Sequence, residues 1–149
     1  MVYIIAGATG VVGSAISKEL AKENEVHLIG RDEEKLSALS KEIDAQYSVI
    51  DLTNTVEQRE FSKIIPDDKE IKGLVNCIGS ILIKPLHGTK TEEFEEVLRV
   101  NLFSSYYLLS SFARRMKNGS AIFFSSVAGT KGLSNHCLLY TSPSPRDKR

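Results

Sequence analysis

Residues 2–20 read VYIIAGATGVVGSAISKEL. The first five are largely apolar, which is typical of a buried strand, and an amphipathic helical pattern begins at Val11. Three glycines stand at the junction, Gly7, Gly10 and Gly13. Glycine permits a tight turn and a close approach of backbone amides to a ligand, and the following helix points its positive end at an anion. The stretch therefore predicts a strand–turn–helix unit that binds the pyrophosphate of a dinucleotide.

Thr9 and Val12 lie in the same turn, and we include them with the three glycines as predicted cofactor-binding residues. The alternative is that the glycines only close a tight turn between a strand and a helix. The position of the turn at the first strand–helix junction of the chain favours the ligand-binding interpretation.

Composition restricts the remaining classes of function. The chain has 149 residues, of which 42% are hydrophobic, enough for one domain with a core. Its 19 Lys and Arg residues balance 19 Asp and Glu residues, so we expect no nucleic-acid partner. Cys77 and Cys137 have no metal-ligand spacing, which argues against a zinc site and a disulfide framework. No stretch is typical of a signal peptide or a membrane span, and we expect a cytoplasmic protein without a membrane partner.

Short apolar runs alternate with longer amphipathic segments, a pattern typical of βαβ units with right-handed crossovers. The predicted strands are residues 2–6, 26–29, 47–50, 74–77 and 121–124. The predicted helices are residues 11–23, 33–43, 55–65 and 92–117. We therefore predict an α/β fold, a Rossmann-like, doubly wound parallel sheet that is truncated after the fifth strand.

Arg31 follows the second predicted strand, roughly 20 residues beyond the glycine turn, where a ribose-recognising group is expected. A carboxylate there would accept a hydrogen bond from the 2′-hydroxyl of NAD, whereas a guanidinium can hold the 2′-phosphate of NADP. The sequence therefore favours NADP(H) over NAD(H). In the alternative, Arg31 is a solvated loop residue and Asp32 caps the next helix.

Four further segments follow in order at predicted strand ends or on the long helix. Two of them are Asp51-Leu52 after the third strand and Asn76-Cys77-Ile78-Gly79 after the fourth. The others are Arg99-Val100-Asn101-Leu102 on the helix and Phe124-Ser125-Ser126-Val127-Ala128-Gly129 after the fifth strand. Together with the glycine turn, these segments resemble the short-chain dehydrogenase/reductase family over residues 1 to about 136.

The resemblance implies a role for each segment. Asp51 and Leu52 would contact the adenine, and residues 76–79 would form the family's Asn-Asn-Ala-Gly segment beside the cofactor. Asn101 and Ser126 would be catalytic: Ser126 would stabilise the substrate oxygen, and Asn101 would hold a lysine through a water. Each residue taken singly has a structural alternative as a cap, a turn former or a polar helix residue. Their order along the chain is what favours the functional interpretation.

The implied activity is that of an oxidoreductase, which transfers hydride between a nicotinamide cofactor and a small carbonyl or alcohol, commonly as a homo-oligomer. In the family, a Tyr-x-x-x-Lys pair tunes the proton transfer that accompanies the hydride. Here Tyr140 lies near the expected distance from the serine, but Ser144 stands where the lysine belongs. We therefore expect this chain to be inactive as an enzyme. The alternative function is a non-catalytic NADP(H)-binding module that acts as a sensor or binds a partner.

Two other departures from the expected pattern concern the subfamily and the extent of the domain. In the shorter-subunit branch of the family a glycine would stand at position 11, where this chain has Val11, so the resemblance does not assign a subfamily.

Residues 137–149, CLLYTSPSPRDKR, do not continue the alternation of strand and helix patterns. We predict an incomplete NAD(P)-binding domain over residues 1–136, and a disordered, foreign or frame-shifted tail over residues 137–149. The apolar fifth strand would then be an open edge prone to aggregation.

Overall fold

A single parallel sheet organises the computed structural model, which describes residues 1–54, 61–129, 131 and 135. Its five strands lie in the order β3-β2-β1-β4-β5. The strands are β1 Val2–Ala6, β2 Glu25–Gly30, β3 Gln46–Val49, β4 Ile71–Asn76 and β5 Ser120–Phe123. β1 pairs with both β2 and β4, so the order of the strands reverses beside β1. In an open α/β sheet this switch point is where a ligand binds.

The described residues form four α-helices. They are α1 Val11–Leu20, α2 Glu33–Ile43, α3 Thr91–Leu98 and α4 Ser104–Phe112. A π turn, Arg99–Phe103, joins α3 to α4, and single 3-10 turns include Ser62–Ile64 and Ala113–Arg115. Among the described residues, no helix has the length and hydropathy needed to cross a membrane. The predicted α/β class and parallel sheet are confirmed.

The core forms on both faces of the sheet because successive strand residues point to opposite faces. On one face Ile4 and Leu74 pack with Phe61 and Phe112, whose rings meet edge to face at a centroid distance of 5.0 Å. On the other face Ile5 and its neighbours pack against the apolar stripe of α2. Burial on two faces explains why the strands read as continuous apolar runs rather than as alternating patterns.

The long helix predicted over residues 92–117 is interrupted by the π turn. The amide of Ser104 bonds to the carbonyl of Arg99, five residues earlier. The hydroxyls of Ser104 and Ser105 donate to the carbonyls of Val100 and Asn101, at 2.6 and 3.2 Å. Serine hydroxyls thus satisfy carbonyls of the widened turn. The prediction of one continuous helix over residues 92–117 was wrong in this respect.

Other boundaries differ by a few residues. α1 ends at Leu20, not at residue 23, and the side chain of Asn24 donates to the Leu20 carbonyl at 3.1 Å. β4 begins at Ile71, three residues before the predicted start. Most of the helix predicted over residues 55–65 lies outside the described residues, apart from the 3-10 turn Ser62–Ile64.

Arg115, just after α4, makes hydrogen bonds to the segment before β4. Its Nη1 donates to the carbonyls of Ser62 and Ile65 at 3.2 and 2.8 Å. Its Nη2 donates to the carbonyls of Pro66 and Lys69. One guanidinium therefore satisfies four backbone acceptors and fixes where β4 enters the sheet.

β5 lies at one edge of the sheet, and within the described part of the chain β4 is its sheet partner. Its Ile122 and Phe123 side chains, and Phe124 just beyond it, are exposed to between 42% and 56%. Such an apolar edge can pair with another chain, so the expected tendency to aggregate stays a prediction.

Candidate functional site

The turn after β1 is held by backbone hydrogen bonds to β2. Gly7 has a positive φ of 73°. The amides of Gly7 and Ala8 both donate to the carbonyl of Ile29, at 2.9 and 3.1 Å, and Gly10 donates to the carbonyl of Gly7 at 3.1 Å. The left-handed conformation at Gly7 turns the chain sharply out of the sheet and directs it into α1.

Gly7 and Gly13 are required because backbone passes close to both. A β-carbon on Gly7 would lie 2.9 Å from the carbonyl carbon of Cys77, and one on Gly13 would lie 2.2 Å from the carbonyl oxygen of Gly7. Side chains at these two positions would push α1 away from the ends of β1 and β4. The two glycines thus let the start of α1 lie directly above the switch point of the sheet.

The first turn of α1 presents backbone amides. Gly10 is the N-cap and provides no side chain to accept from them. The first backbone bond across the turn is donated by Ser14 to Gly10 at 2.8 Å, so the amides of residues 11–13 precede it. Val11 is 89% exposed. Unsatisfied amides at the positive end of a helix form a binding site for an anion.

Arg31 and Asp51 lie together at the ends of β2 and β3. Arg31 Nη1 is 3.8 Å from Asp51 Oδ2, and the Arg31 side chain is 72% exposed. Asp51 Oδ1 accepts from the amide and hydroxyl of Thr53, at 2.8 and 2.7 Å. Leu52, which the family resemblance placed beside the adenine, has its side chain in the core, 3% exposed.

Asp32 has a different structural role from Asp51. Its Oδ1 accepts from the amide of Lys35 at 3.1 Å, and Oδ2 lies 2.8 Å from the Lys35 ammonium. The side-chain hydrogen bond from Lys35 lowers the pKa of Asp32, with a further contribution from the Lys35 amide. Asp32 therefore caps α2, as the structural alternative predicted for this residue.

A cavity of about 500 Å³ opens where β4 and β5 end, next to the first turn of α1. It brings together several residues predicted separately from the sequence, among them Asn76, Asn101 and Ser126. None of the described side chains that line it bears a formal charge at neutral pH. The lining residues are Val12, Asn76, Cys77, Ile78, Gly79, Ser80, Ile81, Asn101, Ser105, Phe123, Phe124, Ser125 and Ser126.

Asn76 links the end of β4 to the π turn. It is 3% exposed, and its Nδ2 donates to the hydroxyls of Ser104 and Ser105, at 3.3 and 2.8 Å. Its Oδ1 accepts from the amide of Ile78 at 3.0 Å. Since the same two hydroxyls donate to carbonyls of the π turn, Asn76 fixes that turn relative to the sheet.

Asn101 holds the loop after β4. Its Oδ1 accepts from the amide of Ser80 at 2.8 Å, and its Nδ2 donates to the carbonyl of the same residue at 2.9 Å. A side-chain amide that makes both bonds of one residue acts like a paired strand. Asn101 therefore shapes the cavity wall by setting the position of residues 79–81.

Ser126 and Cys77 contribute the remaining polar groups. Ser126 Oγ accepts from the amide of Ala128 at 3.2 Å, which leaves its hydroxyl proton available to a ligand. Burial raises the pKa of the Cys77 thiol, so this group is neutral at physiological pH. The site offers neutral hydrogen-bonding groups at this end.

Apart from Leu52 in the core, the predicted site residues fall into three groups in space. Val12 and residues 76–79, 101 and 126 surround the cavity. Gly7, Thr9, Gly10 and Gly13 form the turn beside it, while the Arg31–Asp51 pair lies at the ends of β2 and β3. Sequence reasoning missed Ser80 and Ser105. Ser105 had a signal, because it stands four residues after Asn101 on the same helical face, whereas Ser80 had none. Tyr140 lies outside the described residues.

Comparison with known proteins tests the resemblance to the short-chain dehydrogenase/reductase family. A family model described as short chain dehydrogenase matches residues 1–142. A 3-oxoacyl-(acyl-carrier-protein) reductase of Rickettsia bellii is 31% identical over 143 residues, covering 90% of this chain and 58% of the relative. A tropinone reductase homolog of Arabidopsis thaliana is 30% identical over 145 residues, covering 89% of this chain and 54% of the relative. The chain thus spans little more than half the length of these relatives.

Solved structures give the same result. A metagenomic short-chain oxidoreductase in complex with NADP is 31% identical, with a TM-score of 0.85 over 93% of this chain and 67% of that one. Serine dehydrogenase from Escherichia coli shares the fold, with a TM-score of 0.85 over 93% of this chain and 68% of that one, at 24% identity. These matches cover about nine-tenths of this chain, 89% to 93% of it. The chain belongs to the short-chain dehydrogenase family.

Proposed function

We propose that the chain is the cofactor-binding portion of an oxidoreductase that prefers NADP(H) and transfers hydride between the nicotinamide and a small carbonyl or alcohol. The supporting observation is the close contact of Gly7 and Gly13, which leaves the amides of residues 11–13 open at the switch point of the sheet. A pyrophosphate fits this cradle, because β-carbons at the two glycines would close it.

The groups at the carboxyl ends of the strands match the parts of a dinucleotide in order. Arg31 would hold a 2′-phosphate, Asp51 would lie beside the adenine, and the first turn of α1 would hold the pyrophosphate. The uncharged cavity at the ends of β4 and β5 suits the nicotinamide and an uncharged carbonyl compound. The solved relative in complex with NADP supports the choice of cofactor.

When bound, the dinucleotide supplies the hydride. In our proposal the Ser126 hydroxyl donates to the substrate oxygen, where negative charge develops during reduction. Asn101 keeps residues 79–81 in place along the cofactor side of the cavity. The substrate class agrees with the two curated relatives, both of which are named as reductases.

Proton transfer is the step for which this chain lacks a group that the family uses. Ser144 stands four residues after Tyr140, where the family has lysine. Without that lysine we propose that the chain itself is inactive, since general acid–base catalysis contributes ~10²–10⁴-fold. The same residue favours the second candidate, a module that binds NADP(H) without chemistry. Sequencing the source DNA past His136 separates the two: a Tyr-x-x-x-Lys helix supports the enzyme, and a natural stop after Arg149 supports the module.

The proposal includes the extent of the domain and its setting. Residues 1–136 would form the incomplete nucleotide-binding domain, with residues 137–149 outside it. By resemblance to the family, the intact protein would be a cytoplasmic homo-oligomer.

Titration with reduced dinucleotides tests the core of the proposal. NADPH added to the chain should show saturable enhancement of nicotinamide fluorescence, with weaker binding of NADH. Binding of neither dinucleotide would refute the function, and equal affinity for both would refute the preference for NADP(H).

A further inference from the structure

The end of β2 and the end of β3 bring opposite charges together at the adenosine end of the proposed cofactor site. Gly30 is in register with Val49, and the Ile50 amide donates to the Gly30 carbonyl at 2.8 Å. The residues that follow, Arg31 and Asp51, therefore leave the sheet side by side, with Nη1 and Oδ2 3.8 Å apart.

The Asp51 carboxylate is oriented by its own loop. Thr53 donates from both its amide and its hydroxyl to Oδ1, at 2.8 and 2.7 Å, so Oδ2 is the oxygen that faces Arg31. The side chain of Asp51 is only 32% exposed, whereas that of Arg31 is 72% exposed. The carboxylate is thus the fixed member of the pair, and the guanidinium is the adjustable one.

Asp32 provides a contrast within the same region. It stands next to Arg31 in sequence, yet its carboxylate is occupied by the amide and ammonium of Lys35 at the start of α2. The carboxylate that lies beside the Arg31 charge therefore belongs to Asp51, after the neighbouring strand. The residues next to Arg31 in the sequence do not indicate this pairing.

We propose that Asp51 is a specificity-determining residue that reduces the preference of Arg31 for NADP(H). This inference rests on the proposed function. A 2′-phosphate bound by Arg31 would also meet the Asp51 charge, which repels it. A 2′-hydroxyl carries no charge and can donate to a carboxylate, so the same group favours NAD(H). Together the two side chains give a moderate preference for NADP(H) over NAD(H) instead of strict selection of one dinucleotide.

The test measures dissociation constants for NADPH and NADH on the chain and on Asp51→Asn. The substitution keeps an oxygen acceptor for Thr53 and removes the charge. The ratio of the NADH constant to the NADPH constant should rise roughly three- to ten-fold, as expected for a partly exposed charge a few ångströms away. Loss of an adenine contact would weaken both dinucleotides alike and cancel in the ratio.

Asp32→Asn is the matched control, because it removes the same charge beside Arg31 and asparagine still caps a helix. Its ratio should change less than two-fold. If Asp51→Asn does not fold, Asp51→Ser keeps a hydroxyl acceptor in the turn and should give the same rise.

An unchanged or lower ratio in the charge-removing variants overturns the inference, as does an equal rise in Asp32→Asn. These results leave the proposed function standing as long as a dinucleotide binds. Absence of binding of either dinucleotide by the unsubstituted chain overturns the proposed function and the inference with it.

Discussion

A β-carbon on Gly13 would lie 2.2 Å from the carbonyl oxygen of Gly7. No side chain can be placed at that distance from backbone, so even the smallest substitution must displace the start of α1 from the sheet. The contact connects the turn proposed to bind phosphate to the packing of the fold. The residues that permit close packing are the same ones that leave the amides of the first helical turn open.

We therefore expect Gly13→Ala to lower the free energy of unfolding by about 1–3 kcal/mol, the usual cost of overpacking. Affinity for NADPH should fall as well, because the amides of residues 11–13 move away from the pyrophosphate. Urea denaturation and fluorescence titration measure the two effects. Gly88→Ala is the control, since its β-carbon would approach other atoms no closer than 3.6 Å. Similar losses in the two variants would contradict this account.

Arg31→Ala should weaken NADPH about ten-fold and leave NADH nearly unchanged. Hydrogen bonds between a guanidinium and a phosphate are charge-assisted and contribute more than neutral ones, and NADH has no phosphate at this position. Lys22→Ala provides a control, because this exposed lysine pairs with Glu19 at the other end of α1. Equal weakening of both dinucleotides would show that Arg31 does not read the phosphate.

The sequence predicts elements well where local signals agree with packing. β1 spans Val2–Ala6 and α2 spans Glu33–Ile43, both as predicted. In these segments the apolar period, the Asp32 cap and the glycines all indicate the same boundary. β4 was predicted too short because Gly73 weakens its pattern, whereas in the fold that glycine leaves room for the ring of Tyr3.

The features that the sequence did not reveal depend on contacts between distant segments. The π turn is stabilised by Ser104 and Ser105, whose hydroxyls also accept from Asn76, 28 and 29 residues earlier. The pairing of Arg31 with Asp51 requires β2 and β3 to be neighbours in the sheet. Motifs identified Asn76, Arg31 and Asp51, but only the strand order determines which side chains they meet.

Arg115 gives a test of the fold that is separate from the cofactor. Arg115→Ala removes the guanidinium donor from four backbone carbonyls, of which that of Pro66 keeps its bond from the Lys69 amide. Hydrogen bonds from a charged group contribute ~1.5–3 kcal/mol each. Because solvent replaces some of these bonds, we expect a net loss of about 2–4 kcal/mol in urea denaturation. Arg115→Lys should recover little, since an ammonium cannot reproduce the planar fork. Arg114→Ala changes an exposed residue of the same turn, and an equal loss there would refute the role of Arg115.

The stability of the fold should fall in mild acid because of His27. Burial lowers the pKa of His27 to about 4, and Lys69 adds to this while Glu25 opposes it. His27 is 6% exposed, and its Nε2 lies 2.9 Å from the Ser48 hydroxyl. In the unfolded chain the imidazole has a pKa of 6.5, so between pH 6.5 and about 4 the unfolded state binds the extra proton.

Stability should therefore be fully present above pH 6.5 and decline as the pH falls towards 4, by roughly 3 kcal/mol in total. Urea denaturation at a series of pH values measures this slope. In His27→Gln the slope over this window should largely disappear, because the amide keeps a hydrogen bond to Ser48 and does not titrate. A slope that persists unchanged in His27→Gln over this window would contradict the role of His27, since carboxylates in native ion pairs lose their contribution mainly at lower pH, as they are protonated.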